Sequence, residues 1–160
     1  MQKGFTLIET LIYIALFAIV IGGGMVAAYE IIQATDANRN QIILQEEANF
    51  VFRKIDWALT GATAITVSPS TLVTTKSISG TPTNLTFALD STSHSITLKR
   101  NSNSANALNS TNFLATNLSF TDIPASGGSP HGVTTKFTLI TVQNGRAASQ
   151  DFSTTKYLRQ

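Results

Sequence analysis

Apolar residues dominate the beginning of the chain. The stretch from Thr10 to Tyr29 contains twenty residues without a charge, and a helix of that length extends ~30 Å, which matches the hydrocarbon core of a bilayer. We therefore predict that residues 5–29 form a membrane-spanning helix. Lys3 precedes this helix, so the positive-inside rule places the N-terminus in the cytoplasm and the rest of the chain across the membrane.

A cleavable secretory signal peptide is the alternative to a retained span. Such signals have an apolar core of about 7–15 residues, followed by a small-residue cleavage site. Here the apolar run is longer and continues directly into a helical pattern. The small residues that could be cleaved are the three glycines from Gly22 to Gly24 and the pair Ala27 and Ala28.

The three glycines also interrupt the predicted span itself. Each glycine costs about 1 kcal/mol relative to alanine inside a helix. Small residues permit close packing between membrane helices, whereas a weak point would let the helix bend or melt. The sequence leaves both explanations open.

A helical pattern continues beyond the span, over residues 30–62, which contain no proline. From Leu44 onward, apolar residues recur at intervals that place them on one helical face. This face comprises Leu44, Ala48, Val51, Phe52, Ile55, Ala58, Leu59 and Ala62. We expect one helix from Phe5 to about Gly61, roughly 85 Å long, with its apolar end protruding from the rest of the protein.

Residues 63–160 change to short β-branched and aromatic runs, separated by Asn, Ser, Gly and Pro. The runs predict strands near residues 64–68, 71–77, 84–89, 95–100, 117–123, 133–142 and 151–158, with loops at 101–104, 125–132 and 143–149. The predicted fold class is α+β. The C-terminal half of the long helix packs against an antiparallel β-sheet head domain.

Composition removes several classes of function. Charged residues make up 12% of the chain and the net charge is +2, so a large basic surface for binding nucleic-acid phosphates is not expected. The chain has no cysteine, which excludes disulfides, thiol catalysis and cysteine-based zinc sites. Two histidines are too few for a histidine-rich metal site, and we expect no cofactor and no metal.

Candidate catalytic residues are sparse. Ser129 lies close to His131, but neighbours along the chain do not make a triad, and we interpret this segment as a turn. Asp90, Asp122 and Asp151 are isolated in the sequence and give no calcium-loop spacing. We therefore predict that the chain is not an enzyme. A membrane-tethered hydrolase would require Ser129 or His131.

Residues 3–9, which read KGFTLIE, together with the apolar span resemble the signature of type IV prepilins. That family includes type IV pilins, type II secretion pseudopilins and competence pilins. The resemblance implies that residues 1–4 are a leader peptide and that a prepilin peptidase cleaves between Gly4 and Phe5. It also implies that the new amine of Phe5 is then N-methylated.

Glu9 is a carboxylate at the edge of the predicted span. From its position alone, it either rests at headgroup depth near the positive end of the helix dipole or pairs with a cation of another chain. The resemblance implies the second role, in which Glu9 neutralises the Phe5 amine of a neighbouring subunit during assembly. Both charges would be desolvated there, so the loss of one would leave the other unpaired.

The resemblance also implies partners and a location. The partners are other pilin or pseudopilin subunits, a prepilin peptidase/methylase, the inner membrane and the pilus assembly platform. The protein would begin as a single-pass inner-membrane protein with its head outside, and later enter a pilus or pseudopilus. A nucleic-acid partner is left undecided.

The sequence lacks two features that are usual in the major subunits of this family. Major pilins usually carry a cysteine pair and major pseudopilins an acidic calcium site, and this sequence predicts neither. Residues 55–59 and 152–159 are similar to minor pilins and minor pseudopilins, which implies a place in a tip or initiation complex. The alternative is a single-pass membrane-anchored β-domain binding protein that does not polymerise.

A second stripe on the helix consists of Ile43, Phe50 and Trp57, which recur at intervals of seven. It lies about 140° from the centre of the first face. Either a loop of the head domain covers Trp57, or the stripe contacts neighbouring subunits. We adopt the second as a hypothesis for partner contact.

Overall fold

The structure, a computed structural model, describes residues 6–126, 130–143 and 146–158. The chain divides into two compact units, an N-terminal unit that ends at Arg39 and a C-terminal unit that begins at Asn40. Helix α1 covers Leu7–Leu59 and contributes to both. The predicted helix is confirmed over these bounds, and its predicted start at Phe5 lies outside the described residues.

The N-terminal unit exposes large apolar side chains all round the helix. One stretch of α1 is long and apolar enough to cross a membrane, and none of it is buried by the described residues. Its exposed residues are Leu7, Ile8, Leu11, Ile12, Tyr13, Ile14, Leu16, Phe17, Ile19, Val20, Ile21, Met25, Val26, Tyr29, Ile31 and Ile32. Such a surface needs lipid or other helices to cover it.

In the C-terminal unit, α1 buries the face that the sequence predicted. Six of the eight predicted residues are at most 2% exposed: Leu44, Ala48, Val51, Ile55, Ala58 and Leu59. Phe52 is half-buried and packs on the same core. Ala62 belongs to the first strand instead, because the helix ends at Leu59 and Gly61 adopts a positive φ of 71°.

Eight strands follow the helix, in two antiparallel sheets. They are β1 (Ala62–Ser68), β2 (Thr71–Ile78), β3 (Thr81–Asp90), β4 (Ser95–Arg100), β5 (Asn106–Ala107), β6 (Phe113–Ile123), β7 (Gly132–Gln143) and β8 (Arg146–Tyr157). The sheet orders are β1-β2-β3-β4-β5 and β6-β7-β8. The sequence predicted a single sheet.

Strand β6 begins the second sheet. It does not pair with a strand of the first sheet, but its amides donate hydrogen bonds to carbonyls in two turns of that sheet. The Ala115 amide donates to the His94 carbonyl over 2.7 Å, and the Phe120 amide donates to the Pro69 carbonyl over 3.0 Å. Between these two points β6 has an irregular register, with Asn117 at a φ of 54°. The side chains facing inward from both sheets form one core with α1.

All seven predicted strands are confirmed, and two details are corrected. The loop predicted at residues 143–149 is wrong, because β7 and β8 stay paired from Gly132 with Tyr157 to Gln143 with Arg146. The sequence between them is Asn-Gly, the dipeptide most typical of a two-residue hairpin. Strand β5 was missed because two residues carry no periodic pattern.

Candidate processing and assembly site

Helix α1 begins with a reciprocal pair of hydrogen bonds between Thr6 and Glu9. The Glu9 amide donates to Thr6 Oγ1 over 3.4 Å, and the Thr6 amide donates to Glu9 Oε2 over 3.5 Å. A threonine at the N-cap and a glutamate three residues later form a capping box, which satisfies two amides that the helix leaves unpaired. Both bonds are long, so the Glu9 carboxylate is held loosely.

The cap fixes where the helix starts relative to the predicted cleavage. Thr6 is not helical and Leu7 is the first residue of α1. Gly4 and Phe5, the two residues of the predicted cleavage site, lie outside the described residues. The cleavage and methylation of Phe5 therefore stay predictions.

Glu9 is half-buried in the first turn of α1. No cation of the described residues forms an ion pair with it, and its one described partner is the Thr6 amide. The positive end of the helix dipole favours the charged carboxylate at this position. The Glu9 carboxylate therefore has no cation partner within the described part of the chain. Its role in assembly stays a prediction.

The residues that follow Glu9 suit an apolar environment. The Thr10 hydroxyl donates to the Leu7 carbonyl over 2.8 Å, so its polar atom is satisfied within the helix. Gly22, Gly23 and Gly24 are helical, and a Cβ added to any of them meets no atom within 4 Å. No contact among the described residues therefore requires glycine there, and both explanations for the three glycines stay open.

The three residues of the stripe predicted for partner contact differ in their exposure to solvent. Ile43 is half-buried against the core, whereas Phe50 is 38% and Trp57 is 36% exposed. Two cations from the strands lie beside Trp57, with Lys76 Nζ 4.7 Å and Arg100 Cζ 5.6 Å from the ring centroid. Partner contact by this stripe stays a prediction.

In the sheets, the structure pairs two residues that the sequence analysis treated separately. His131 Nε2 lies 2.5 Å from Asp122 Oδ1, because β6 and β7 pair Asp122 with Val133 at the end of their hairpin. Asp122 is exposed to solvent and His131 is half-buried. Ser129 lies outside the described residues, so the interpretation of its segment as a turn stays a prediction.

The other two aspartates satisfy local polar groups. Asp90 accepts hydrogen bonds from the Ser93 hydroxyl and the Thr92 amide, and these bonds lower the pKa of Asp90. Asp151 accepts a bond from the Thr138 hydroxyl over 2.6 Å. Over residues 6–126, 130–143 and 146–158, no three His, Asp or Glu side chains are grouped as metal ligands would be.

Comparison with known proteins identifies the N-terminal segment. The family model for the prokaryotic N-terminal methylation motif matches residues 1–25. No curated protein and no solved structure matches the chain significantly. The matched segment contains the capping box, Glu9 and the first part of the exposed apolar helix. The chain thus carries at residues 1–25 the prokaryotic N-terminal methylation motif, which is the signature of type IV pilins and pseudopilins.

Proposed function

We propose that this protein is a minor pilin-like structural subunit that enters the tip or initiation complex of a type IV pilus or pseudopilus. Prepilin peptidase cleaves it between Gly4 and Phe5 and the Phe5 amine is methylated. The observation that carries the proposal is the methylation motif at residues 1–25, together with an apolar stretch of α1 that none of the described residues covers.

The apolar helix has two successive environments in this proposal. It first anchors the protein in the inner membrane, with the N-terminus in the cytoplasm and the head domain outside. It then leaves lipid and packs against the helices of other subunits. Both environments cover the same exposed apolar surface, so the transfer exchanges one apolar contact for another.

Glu9 directs the assembly step by pairing with the methylated Phe5 amine of the neighbouring subunit. Support comes from its half-buried position and from the lack of a cation partner in the described residues. In a core of packed helices, an unpaired carboxylate and an unpaired amine would each carry a desolvation penalty. The pair removes both penalties only when the two subunits are in register.

The minor role rests on the sequence. The chain lacks the cysteine pair that is usual in major pilins, and no acidic cluster marks the calcium site of major pseudopilins. In this role, the β-rich part of the chain acts as a contact surface and not as an enzyme. The His131 and Asp122 pair then only closes the end of the β6-β7 hairpin.

Mass spectrometry of the native N-terminus tests this proposal. The protein is purified from its source bacterium, once with an active prepilin peptidase and once without it. We expect N-methylated Phe5 as the first residue in the first case and Met1 in the second. An intact leader in both strains, or cleavage between Gly22 and Ala28 by signal peptidase, would instead favour a membrane-anchored β-domain protein that does not polymerise.

A further inference from the structure

The C-terminal part of α1 presents a surface on which every exposed aromatic ring has a cation beside it. Lys54 Nζ lies 5.2 Å from the Phe50 ring centroid, and Trp57 has both Lys76 and Arg100 within 6 Å. These distances fall in the range of cation–π attraction. We call these five residues, Phe50, Lys54, Trp57, Lys76 and Arg100, the aromatic–cation face.

Lys76 and Arg100 occupy equivalent positions in β2 and β4. In β2, Leu72 and Thr74 are fully buried, and Lys76 is the next residue on their side of the strand, since side chains alternate. In β4, Arg100 stands in the same relation to Ile96 and Leu98. In each strand, two buried inward-facing residues are therefore followed by a cation that lies beside Trp57.

The cations of this face have no carboxylate partner among the residues that the structure describes. Among the described residues, no carboxylate oxygen lies within 4 Å of Lys54, Lys76 or Arg100, whereas Lys156 pairs with Asp56. Lys76 Nζ donates one hydrogen bond, over 2.7 Å, to the Trp57 carbonyl. This bond stabilises the end of the helix and leaves two further donors on the ammonium group.

We propose that the aromatic–cation face is the docking surface for an acidic surface of another pilin-like subunit. The inference rests on the proposed function and names the chemistry of the partner. Three unpaired cations select carboxylates by charge complementarity. The exposed parts of Phe50 and Trp57 add apolar area of the kind that dominates the centre of protein interfaces.

Nucleic acid fits this face less well than an acidic protein does. Strong binding to the phosphate backbone needs many cations along a groove, and this face supplies three, on a chain whose net charge is +2. The two rings lie seven residues apart on one helix, about 10 Å along its axis. That spacing suits the side of a partner helix or strand.

Photo-crosslinking in the source bacterium tests the docking surface. Benzoylphenylalanine replaces Phe50 in the full-length protein, and the crosslinked peptide is identified by mass spectrometry. We expect a peptide from another pilin-like protein with Asp or Glu near the crosslinked position. Combining K76E and R100E should lower the adduct yield by about tenfold, since attraction becomes repulsion.

The control is K99E, which makes the same charge reversal as R100E alone, one residue away on the opposite side of β4. We expect it to keep the adduct yield of the parent protein. Thermal unfolding of each purified variant in detergent verifies that the sheets remain folded.

Several results would overturn the docking proposal. The first is an equal adduct yield in the double variant and in K99E. The second is an adduct with nucleic acid or with a peptide that lacks acidic residues. The third is the absence of any adduct from a protein that is processed and assembled. The N-terminus measured in the same sample reports on the proposed function separately. An intact leader contradicts that function whatever the crosslink yields.

Discussion

The two units of this protein use apolar residues in opposite ways. In the N-terminal unit, Leu7 is 80% exposed and Ile19 is 72% exposed, whereas in the C-terminal unit Val51, Leu85 and Phe87 are completely buried. The same helix carries residues of both kinds. The C-terminal unit therefore completes its hydrophobic core within one chain, while the N-terminal unit needs lipid or other helices to cover its surface. The contrast places the hydrophobic core of the chain in one unit and the apolar surface that needs an outside cover in the other.

Removal of the Glu9 charge should have the largest effect on association. We expect Glu9→Ala to be processed and inserted but not incorporated, because the neighbouring Phe5 amine is left desolvated and unpaired. The loss of about 3–5 kcal/mol corresponds to a hundredfold decrease or more. Quantitative immunoblotting of the assembled fraction measures it.

Glu30→Ala is the control for this variant, since Glu30 is an exposed carboxylate of the same helix and should be incorporated as before. Normal incorporation of Glu9→Ala would contradict the proposed pairing of Glu9 with the amine of a neighbouring subunit.

Matched phenylalanine truncations should separate the two units by stability. Phe87→Ala leaves a cavity in the core and should lower the free energy of unfolding by about 3–5 kcal/mol. Phe17 is 66% exposed, so Phe17→Ala should leave that free energy unchanged. Denaturant titration of the full chain in detergent compares the two variants. Equal destabilisation would show that the N-terminal unit also has a core of its own.

Truncation of the exposed aromatic stripe should weaken partner contact without unfolding the sheets. Phe50→Ser combined with Trp57→Ser should reduce co-purification with other pilin-like subunits, by about 2 kcal/mol if the two rings lie at the centre of the interface. The circular dichroism spectrum of the sheets should not change. Unchanged co-purification would remove this stripe from the association surface.

The smallest expected effect is a pH dependence in the C-terminal unit. Hydrogen bonds from Ser93 and Thr92 lower the folded-state pKa of Asp90, so the unfolded state binds a proton more readily. The stabilisation is present above the unfolded pKa of about 3.9 and is lost as pH falls through the folded value. Denaturant titration between pH 7 and pH 2 should show a shallower acid loss in Asp90→Asn than in the parent protein.

Local patterns of the fold could be predicted from the sequence. The buried face of α1 follows from spacings of three and four residues between Leu44 and Leu59, since a helix places these on one side. The strands follow from β-branched runs between turn residues. Strand β5 could not be found this way, and the boundary between the two sheets depends on the hydrogen bonds of Ala115 and Phe120 with distant loops.

At the candidate sites too, contacts between residues close in sequence could be predicted, whereas contacts between distant residues could not. The Thr6 and Glu9 capping box spans three residues and is visible in the sequence as a T-x-x-E pattern. The cations beside Trp57 come from residues 19 and 43 positions later in the chain, and only the strand register brings them there. His131 and Asp122 are nine residues apart, and the sequence analysis interpreted residues 125–132 as a loop without pairing these two residues.

The N-terminus of the protein recovered from assembled fibres is the most direct test of the central claim. Fibres, or a crosslinked pseudopilus, are separated from membranes, and the N-terminal peptide is sequenced by mass spectrometry. The account predicts that this fraction contains the protein beginning at N-methylated Phe5. Recovery of the protein exclusively from the membrane fraction with Met1 intact, in cells whose prepilin peptidase is active, would contradict it.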